Sequence, residues 1–157
     1  MKKLKLYLDT SVVSHLDQQD APDKMVETHR LWEKIKAGEF DVFLSDVTIA
    51  EINDCTEQKR ANLLRYLNQI EYTQIDTTDR TTAIAQRFVD LGVLRSKSFD
   101  DCQHISAAIV GECDIIVSWN FRHIVNHKTI MGVKAITALE GFRDVLIYTP
   151  SVLAGGD

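Results

Sequence analysis

The stretch CDIIVS, at residues 113–118, is the clearest strand in the sequence and the starting point for assigning the fold. Its unbroken apolar, β-branched run is typical of a strand that is buried on both faces of a sheet. Polar residues stand at its end, in Ser118 and Asn120. A second run, LKLYLD at 4–9, also ends in a polar residue, an acid. Both segments therefore predict buried strands with polar side chains at their carboxyl ends.

Strand and helix patterns alternate along the chain. Further strands are predicted at 41–45, 71–76 and 144–149. The predicted helices are 9–16, 21–38, 45–55, 57–70, 77–92, 98–112 and, with a break near 126–128, 120–142. This alternation predicts an α/β fold, a three-layer α/β/α sandwich with a mainly parallel central sheet. Because no linker or repeat interrupts the pattern, residues 1–157 are predicted to form a single domain.

The composition restricts the classes of function. The 157 residues include 18 Lys and Arg against 23 Asp and Glu, which gives a formal net charge of −5. Such a chain lacks the broad basic surface by which most nucleic-acid-binding proteins hold phosphate. It is compatible with a site in which carboxylates hold metal ions and the metal ions face the phosphate.

The cysteines and the first residues indicate the cellular compartment. Cys55, Cys102 and Cys113 are widely spaced and match neither a zinc ribbon nor a secreted disulfide scaffold, so reduced thiols are expected. The opening MKKLKLYLDTSVV lacks the apolar core of a signal peptide because Asp9 interrupts the run. No stretch approaches the ~20 apolar residues of a membrane span. A cytoplasmic protein with no membrane partner is therefore expected.

Several polar side chains are expected to meet at one edge of the sheet. In open parallel sheets, ligands bind at the carboxyl ends of the strands. Asp9 ends the first strand, Ser118 and Asn120 end the fourth, Glu51 lies in the helix after the second, and Asp101 opens the helix before the fourth. Three carboxylates at one point repel one another, and a divalent cation offsets that repulsion. Oxygen donors favour Mg²⁺ or Mn²⁺ over Zn²⁺.

Each of these residues also has an ordinary structural interpretation. Asp9 and Asn120 are suitable helix caps, and Glu51 on a helix is usually a solvated charge. Ser98 and Asp101 have the spacing of a capping box. Only the joint placement of the four candidates at one sheet edge favours a functional site over these separate interpretations.

The histidines are not expected to bind a metal. His104 lies in the helix that Asp101 opens and is interpreted as a packing residue. His123 and His127 are four residues apart, a spacing that can bind metal, but no third partner is nearby in the sequence. A surface position or a phosphate contact is favoured for both.

Four motifs in order resemble the PIN-domain ribonucleases, and most of all the VapC-type toxins of bacteria and archaea. The resemblance spans roughly residues 4–125. The motifs are YLDTSVV at 7–13, SDVTIAEI at 45–52, GVLRSKSFDDCQHISAA at 92–108 and CDIIVSWNF at 113–121. The separations of this ordered set make the resemblance more specific than any one motif.

The resemblance implies a set of site residues. By position, the three family acids fall on Asp9, Glu51 and Asp101, and the fourth catalytic position falls on Asn120. The supporting small polar residues would be Thr10, Ser11 and Ser118. His123 stands where many relatives carry another acid. One tightly bound Mg²⁺ or Mn²⁺ is therefore expected, with a second ion bound weakly together with substrate.

The activity that the resemblance implies is metal-dependent hydrolysis of RNA phosphodiester bonds, leaving a 5′-phosphate and a 3′-hydroxyl. Candidate contacts to the RNA phosphates are Arg95, Lys97 and Arg122. The chain would be the toxin of a type II toxin–antitoxin pair, acting as a homodimer with a small antitoxin as partner. Apolar residues of the early helices would then partly face that partner, with core packing as the alternative; they are Leu31, Trp32, Leu63 and Leu67.

Two alternatives belong to other classes of protein. A phosphatase of the haloacid-dehalogenase type also uses an aspartate at a strand end, but it needs a second aspartate where this chain has Ser11. A PIN-like module that binds RNA or protein without cutting is the other alternative, because the fourth acid is missing. Such a module predicts no dependence on Mg²⁺ or Mn²⁺ and no loss of function in Asp9→Asn.

Overall fold

A parallel β-sheet forms the centre of the molecule in the computed structural model, which describes residues 2–155. Met1, Gly156 and Asp157, which the predicted domain includes, lie outside the described residues. The strands are β1 (Leu4–Leu8), β2 (Phe40–Ser45), β3 (Thr73–Ile75), β4 (Ile115–Val117) and β5 (Leu146–Tyr148). They are ordered β3-β2-β1-β4-β5, and each neighbouring pair is parallel.

Helices connect the strands and cover both faces of the sheet. They are α1 (Thr10–Ser14), α2 (Pro22–Lys36), α3 (Asp46–Asn53), α4 (Glu57–Leu67), α5 (Asp79–Asp90), α6 (Phe99–Val110), α7 (His127–Glu140) and α8 (Pro150–Ala154), with 3₁₀ turns at His15–Asp17 and Ser96–Ser98. Pro22 occupies the first turn of α2, where its missing N–H removes no hydrogen bond. Gly141 ends α7 with φ +77°, a conformation that glycine adopts without steric cost.

Two hydrophobic cores lie on opposite faces of the sheet because side chains alternate along each strand. Tyr7 of β1 faces a core formed with α5, α6 and α7. Leu6 and Leu8 face the other core, formed with α1, α2, α4 and α8. The predicted three-layer α/β/α sandwich with a parallel central sheet is therefore confirmed.

The segment after β4 differs from the prediction. Residues 121–126 form turns rather than the start of a long helix, and α7 begins only at His127. The Asn120 side chain accepts a hydrogen bond from the His123 backbone N–H at 2.9 Å, and this contact closes the first turn. Asn126 then caps α7 by accepting from the Thr129 backbone N–H at 2.9 Å. Short polar side chains compete in this way with helical hydrogen bonds.

The apolar residues proposed for a partner interface belong to the core instead. All four are at most 3% exposed: Leu31, Trp32, Leu63 and Leu67. They pack within the core on the α2 face of the sheet. The prediction that they partly face a partner is wrong for these residues, and the core alternative is confirmed, because each apolar stripe has a sheet face to cover.

The three cysteines are unpaired thiols, as predicted, with Cys102 and Cys113 buried and Cys55 half-buried. Burial raises the pKa of Cys102 to about 11 and that of Cys113 to about 12. Across residues 2–155, every helix is too short or too polar to cross a bilayer.

Candidate active site

The strand order places two polar strand ends side by side. The chain leaves β1 for β2 and β3 on one side, and β4 and β5 lie on the other side. The reversal between β1 and β4 is the position where open α/β sheets bind ligands. Asp9 follows β1 directly, and Ser118 follows β4. The Ser118 hydroxyl donates a hydrogen bond to Asp9 Oδ2 at 2.6 Å, so the two ends meet.

Asp9 is a buried carboxylate that both caps a helix and faces the site. Its side chain is N-cap of α1, accepting from the Val12 backbone N–H at 3.3 Å. The Ser11 hydroxyl donates to Asp9 Oδ1 at 2.5 Å. Burial raises the pKa of Asp9, and nearby His104 and the two hydroxyl donors only partly offset it. The cap interpretation is therefore correct without excluding a role in the site.

Glu51 is fixed by contacts from two other segments. Thr10 Oγ1 donates to Glu51 Oε1 at 2.6 Å, and His104 Nε2 lies 2.6 Å from the same oxygen. Burial opposes ionisation of Glu51, yet the hydrogen bond and charge of His104 bring its pKa below the ordinary value. Glu51 is therefore a paired carboxylate, although its side chain is still 37% exposed, in part as the solvated-charge interpretation predicts.

His104 links the site to the core. The residue is 2% exposed, as the packing interpretation predicts. Its Nδ1 lies 2.7 Å from the Tyr7 hydroxyl, and its Nε2 contacts Glu51. Burial disfavours the charged ring, but the hydrogen bond to Glu51 and the charges of Asp9, Glu51 and Asp101 outweigh it and raise the pKa of His104. His104 lies three residues after Asp101 and so on the same face of a helix, and this spacing was the sequence signal that His104 is part of the site.

Asp101 faces the turn that follows β4. Its Oδ2 lies 2.8 Å from His123 Nδ1, and its Oδ1 accepts a long hydrogen bond from Asn120 Nδ2 at 3.4 Å. Burial raises the pKa of Asp101, and the charge of Asp9 adds to the rise while both histidines oppose it. The Ser98 side chain does not cap α6, so the capping-box interpretation is wrong.

The supporting hydroxyl residues form a short hydrogen-bonded network under the carboxylates. Ser11 Oγ accepts from the Trp119 backbone N–H at 2.9 Å. Ser118 Oγ accepts from the Asn120 backbone N–H at 2.9 Å while it donates to Asp9. Ser11 also donates to Asp9, in the place where a dehalogenase-type phosphatase needs a carboxylic acid. These contacts hold the β1 and β4 ends in register.

The three carboxylates are linked through His104. Its Nε2 contacts Glu51 and lies 3.4 Å from the hydroxyl of Thr10, the residue after Asp9, and Asp101 lies one turn earlier on the same helix. Their oxygen chemistry suits a hard cation such as Mg²⁺ or Mn²⁺. In the part of the chain from residue 2 to residue 155, however, no three His, Cys, Asp or Glu side chains surround a common point that could hold an ion. Glu51 and Asp101 each contact a histidine instead.

A cavity of about 300 Å³ adjoins this cluster. Its lining includes all three predicted phosphate contacts and a fourth cation that the sequence did not single out: Arg95, Lys97, Arg122 and Lys128. Phe121, beside Asn120, is another residue that sequence reasoning missed; it is 49% exposed, and Lys24 Nζ lies 5.3 Å from its ring centroid. An aromatic residue directly after a polar strand end was the available signal.

The fold and the arrangement of polar strand ends define a PIN-like α/β domain. No protein-family profile matches the chain, and no curated protein matches it. The chain is similar to one in the "Crystal structure of VapBC2 from Rickettsia felis bound to a DNA fragment from their promoter". The match has a TM-score of 0.57 at 13% identity and covers 93% of this chain and 98% of that one. The likeness confirms the predicted fold over nearly the whole chain.

Proposed function

We propose that the protein is a metal-dependent ribonuclease that hydrolyses RNA phosphodiester bonds. The observation that carries the proposal is the set of contacts that links the three acids at the strand-order reversal. Glu51 contacts both His104 and Thr10, Thr10 directly follows Asp9, and Asp101 lies one helical turn before His104. Three remote segments supply these side chains, and ordinary capping does not require them to converge. A cavity lined by cations lies beside them, which suits a phosphate-bearing substrate.

Asp9, Glu51 and Asp101 would hold Mg²⁺ or Mn²⁺ after Glu51 and Asp101 exchange their histidine contacts for the ion. Such an ion, when bound, would lower the pKa of a water molecule and stabilise charge on the attacked phosphate. Both contacts of Glu51 use Oε1, which leaves Oε2 for another ligand. Asn120 would orient a water molecule or substrate oxygen next to Asp101, because its amide contacts that carboxylate. The expected products carry a 5′-phosphate and a 3′-hydroxyl.

The test is a nuclease assay on mixed single-stranded RNAs with Mn²⁺. Asp9→Asn and Asp101→Asn each remove one charge from the cluster, and each is expected to lower the cleavage rate by at least about 100-fold. Asp54→Asn is the matched control, since Asp54 is an exposed carboxylate at the end of α3. Cleavage that survives both site variants would mean a contaminating nuclease or a wrong site.

Metal binding is measured separately from activity. Mn²⁺ should broaden the imidazole NMR signals of His104 and His123, which contact Glu51 and Asp101. The broadening should disappear in Asp9→Asn and persist in Asp54→Asn. Equal broadening of His29, which contacts the Leu16 carbonyl oxygen away from the cluster, would contradict a specific ion site.

A PIN-like module that binds RNA or protein without cutting is the second candidate. It is favoured by the histidine contacts of Glu51 and Asp101, which satisfy carboxylates that a metal would otherwise use. This candidate predicts RNA binding that is unchanged by EDTA and by Asp9→Asn. It also predicts no Mn²⁺-dependent cleavage and no specific broadening of the His104 and His123 signals, so the two experiments above discriminate between the candidates.

We also propose a partner. The similar solved structure is of a VapBC2 complex bound to a promoter DNA fragment. By analogy, this chain would act as the toxin of a type II pair, as a homodimer bound by a small antitoxin. Light scattering at micromolar concentration tests the dimer. A monomer, together with the lack of a small adjacent gene whose product binds the chain, would contradict this part of the proposal.

A further inference from the structure

The cavity beside the carboxylates is built by two segments that are distant in sequence. Residues 92–98 form one wall, and residues 122–129 form the other. α7 lies close to the first wall because it has a glycine there: a Cβ added at Gly132 would lie 2.7 Å from Val93 Cγ1. Lys128 lies one helical turn before Gly132, so this close approach places it across the cavity from Arg95.

The cavity concentrates positive charge without a counter-charge. It is lined by Arg95, Lys97, Arg122 and Lys128, and its lining includes no Asp or Glu. Throughout the described range 2–155, the side chains of these four residues make no ion pair or hydrogen bond. The whole chain carries a net charge of −5. All four residues are solvent-exposed, so their side chains are free to turn toward an anion that enters the cavity.

The rim of the cavity is held in place by hydrogen bonds. Thr129 Oγ1 donates to the His123 carbonyl oxygen at 2.7 Å, and the Asn126 amide donates to the Arg122 carbonyl oxygen at 3.0 Å. The turn that carries Arg122 is therefore fixed against the start of α7. Because the backbone is held, an anion would order only the long side chains.

His123 is shared by the cavity and the carboxylate cluster. It lines the cavity, and its Nδ1 lies 2.8 Å from Asp101 Oδ2. A group bound in the cavity would therefore be the immediate neighbour of a group held at Asp101. The half-buried side chain of Val93 adds an apolar portion to the same wall, whereas Leu94 is packed into the core. A cationic cavity with an apolar side suits a phosphate attached to a sugar and a base.

We propose that this cavity binds the phosphate group of a single nucleotide, with its sugar and base against Val93. The volume of about 300 Å³ is at the lower end for small-molecule sites and accommodates one nucleotide rather than a duplex. The identification of that nucleotide as part of an RNA substrate rests on the proposed ribonuclease function; binding of the phosphate does not. The phosphate is either a bridging one or the terminal one of a 5′-phosphorylated strand.

The test uses two probes, the dinucleotide UpU and its 5′-phosphorylated form pUpU. Binding is measured by calorimetry in EDTA at about 50 mM salt, where electrostatic contacts are strong. Lys128→Ala and Arg95→Ala should each weaken binding by about tenfold, the usual value for a charge-assisted contact. Lys134→Ala is the matched control, because Lys134 is on the same helix and pairs with Asp144 at 2.7 Å. Lys128→Arg should retain binding.

The outcomes separate this proposal from the proposed function. If pUpU binds at least about tenfold more tightly than UpU, the cavity binds a terminal phosphate. If the two probes bind equally, the cavity binds a bridging phosphate. Failure of both probes to saturate, or an equal loss in Lys134→Ala, overturns the proposal. Mn²⁺-dependent cleavage without probe binding overturns the cavity assignment alone. Probe binding without any cleavage leaves the cavity assignment intact and contradicts the ribonuclease.

Discussion

The salt dependence of RNA binding is the most quantitative consequence of the site. Each phosphate neutralised by a lysine or arginine releases counterions, so the affinity falls as salt rises. The cavity supplies four such cations, while the rest of the chain is acidic overall. We therefore compare the RNA affinity of the wild type and of Lys128→Ala as KCl is raised from about 50 to about 200 mM.

The structure sets the expected size of the effect. A longer strand would place one phosphate in the cavity and bring neighbouring phosphates to the other exposed cations, one phosphate to each cation. For a single strand, each neutralised phosphate contributes about −0.7 to the slope of log affinity against log salt, so four give about −2.8. Between about 50 and about 200 mM KCl, the affinity should then fall about 50-fold. Removal of Lys128 leaves three cations and a slope of about −2.1, which corresponds to a fall of about 20-fold.

The assay is fluorescence anisotropy with a 3′-labelled single-stranded RNA of about ten nucleotides, a length within reach of one small domain. EDTA prevents cleavage during the titration, so the measurement is of binding alone. Lys134→Ala serves as the control, since Lys134 is paired with Asp144 outside the cavity. Its slope should equal that of the wild type. A wild-type slope shallower than about −1, or an unchanged slope in Lys128→Ala, would refute the electrostatic reasoning.

Two further predictions concern the core and the thiols. Leu31→Ala should lower the free energy of unfolding by about 2–5 kcal/mol in a urea titration, because Leu31 is fully buried. The control is Val26→Ala on the same helix: Val26 is 52% exposed, so the free energy of unfolding should change by less than about 0.5 kcal/mol. Equal losses in the two variants would contradict the assigned helix face. In the native protein at neutral pH, Cys55 should react first with Ellman's reagent, since burial raises the pKa of Cys102 to about 11 and of Cys113 to about 12 and so removes the reactive thiolate. Rapid reaction of all three thiols before unfolding would be inconsistent with this packing.

The apolar runs and the polar residues that follow them were sufficient to predict a mainly parallel sheet and the approximate ends of its strands. A buried parallel strand is a continuous apolar run, and the first polar residue after it marks its carboxyl end. For this reason the sequence predicts Asp9 and Ser118 at the ends of their strands, and the structure has each directly after its strand. The helix prediction failed for residues 121–126, because the Asn120 side chain captures the His123 backbone N–H and closes a turn that the apolar pattern does not show.

The identity of the candidate residues was readable from the sequence, but their partners were not. Only the tertiary structure pairs Glu51 with His104, Asp101 with His123, and Lys128 with the wall that carries Arg95. These pairings depend on the strand order, on the rotation of each helix about its axis and on the close approach of α7 at Gly132. The periodicity of a segment specifies which face it buries, whereas the neighbour on that face is specified by packing across the whole chain.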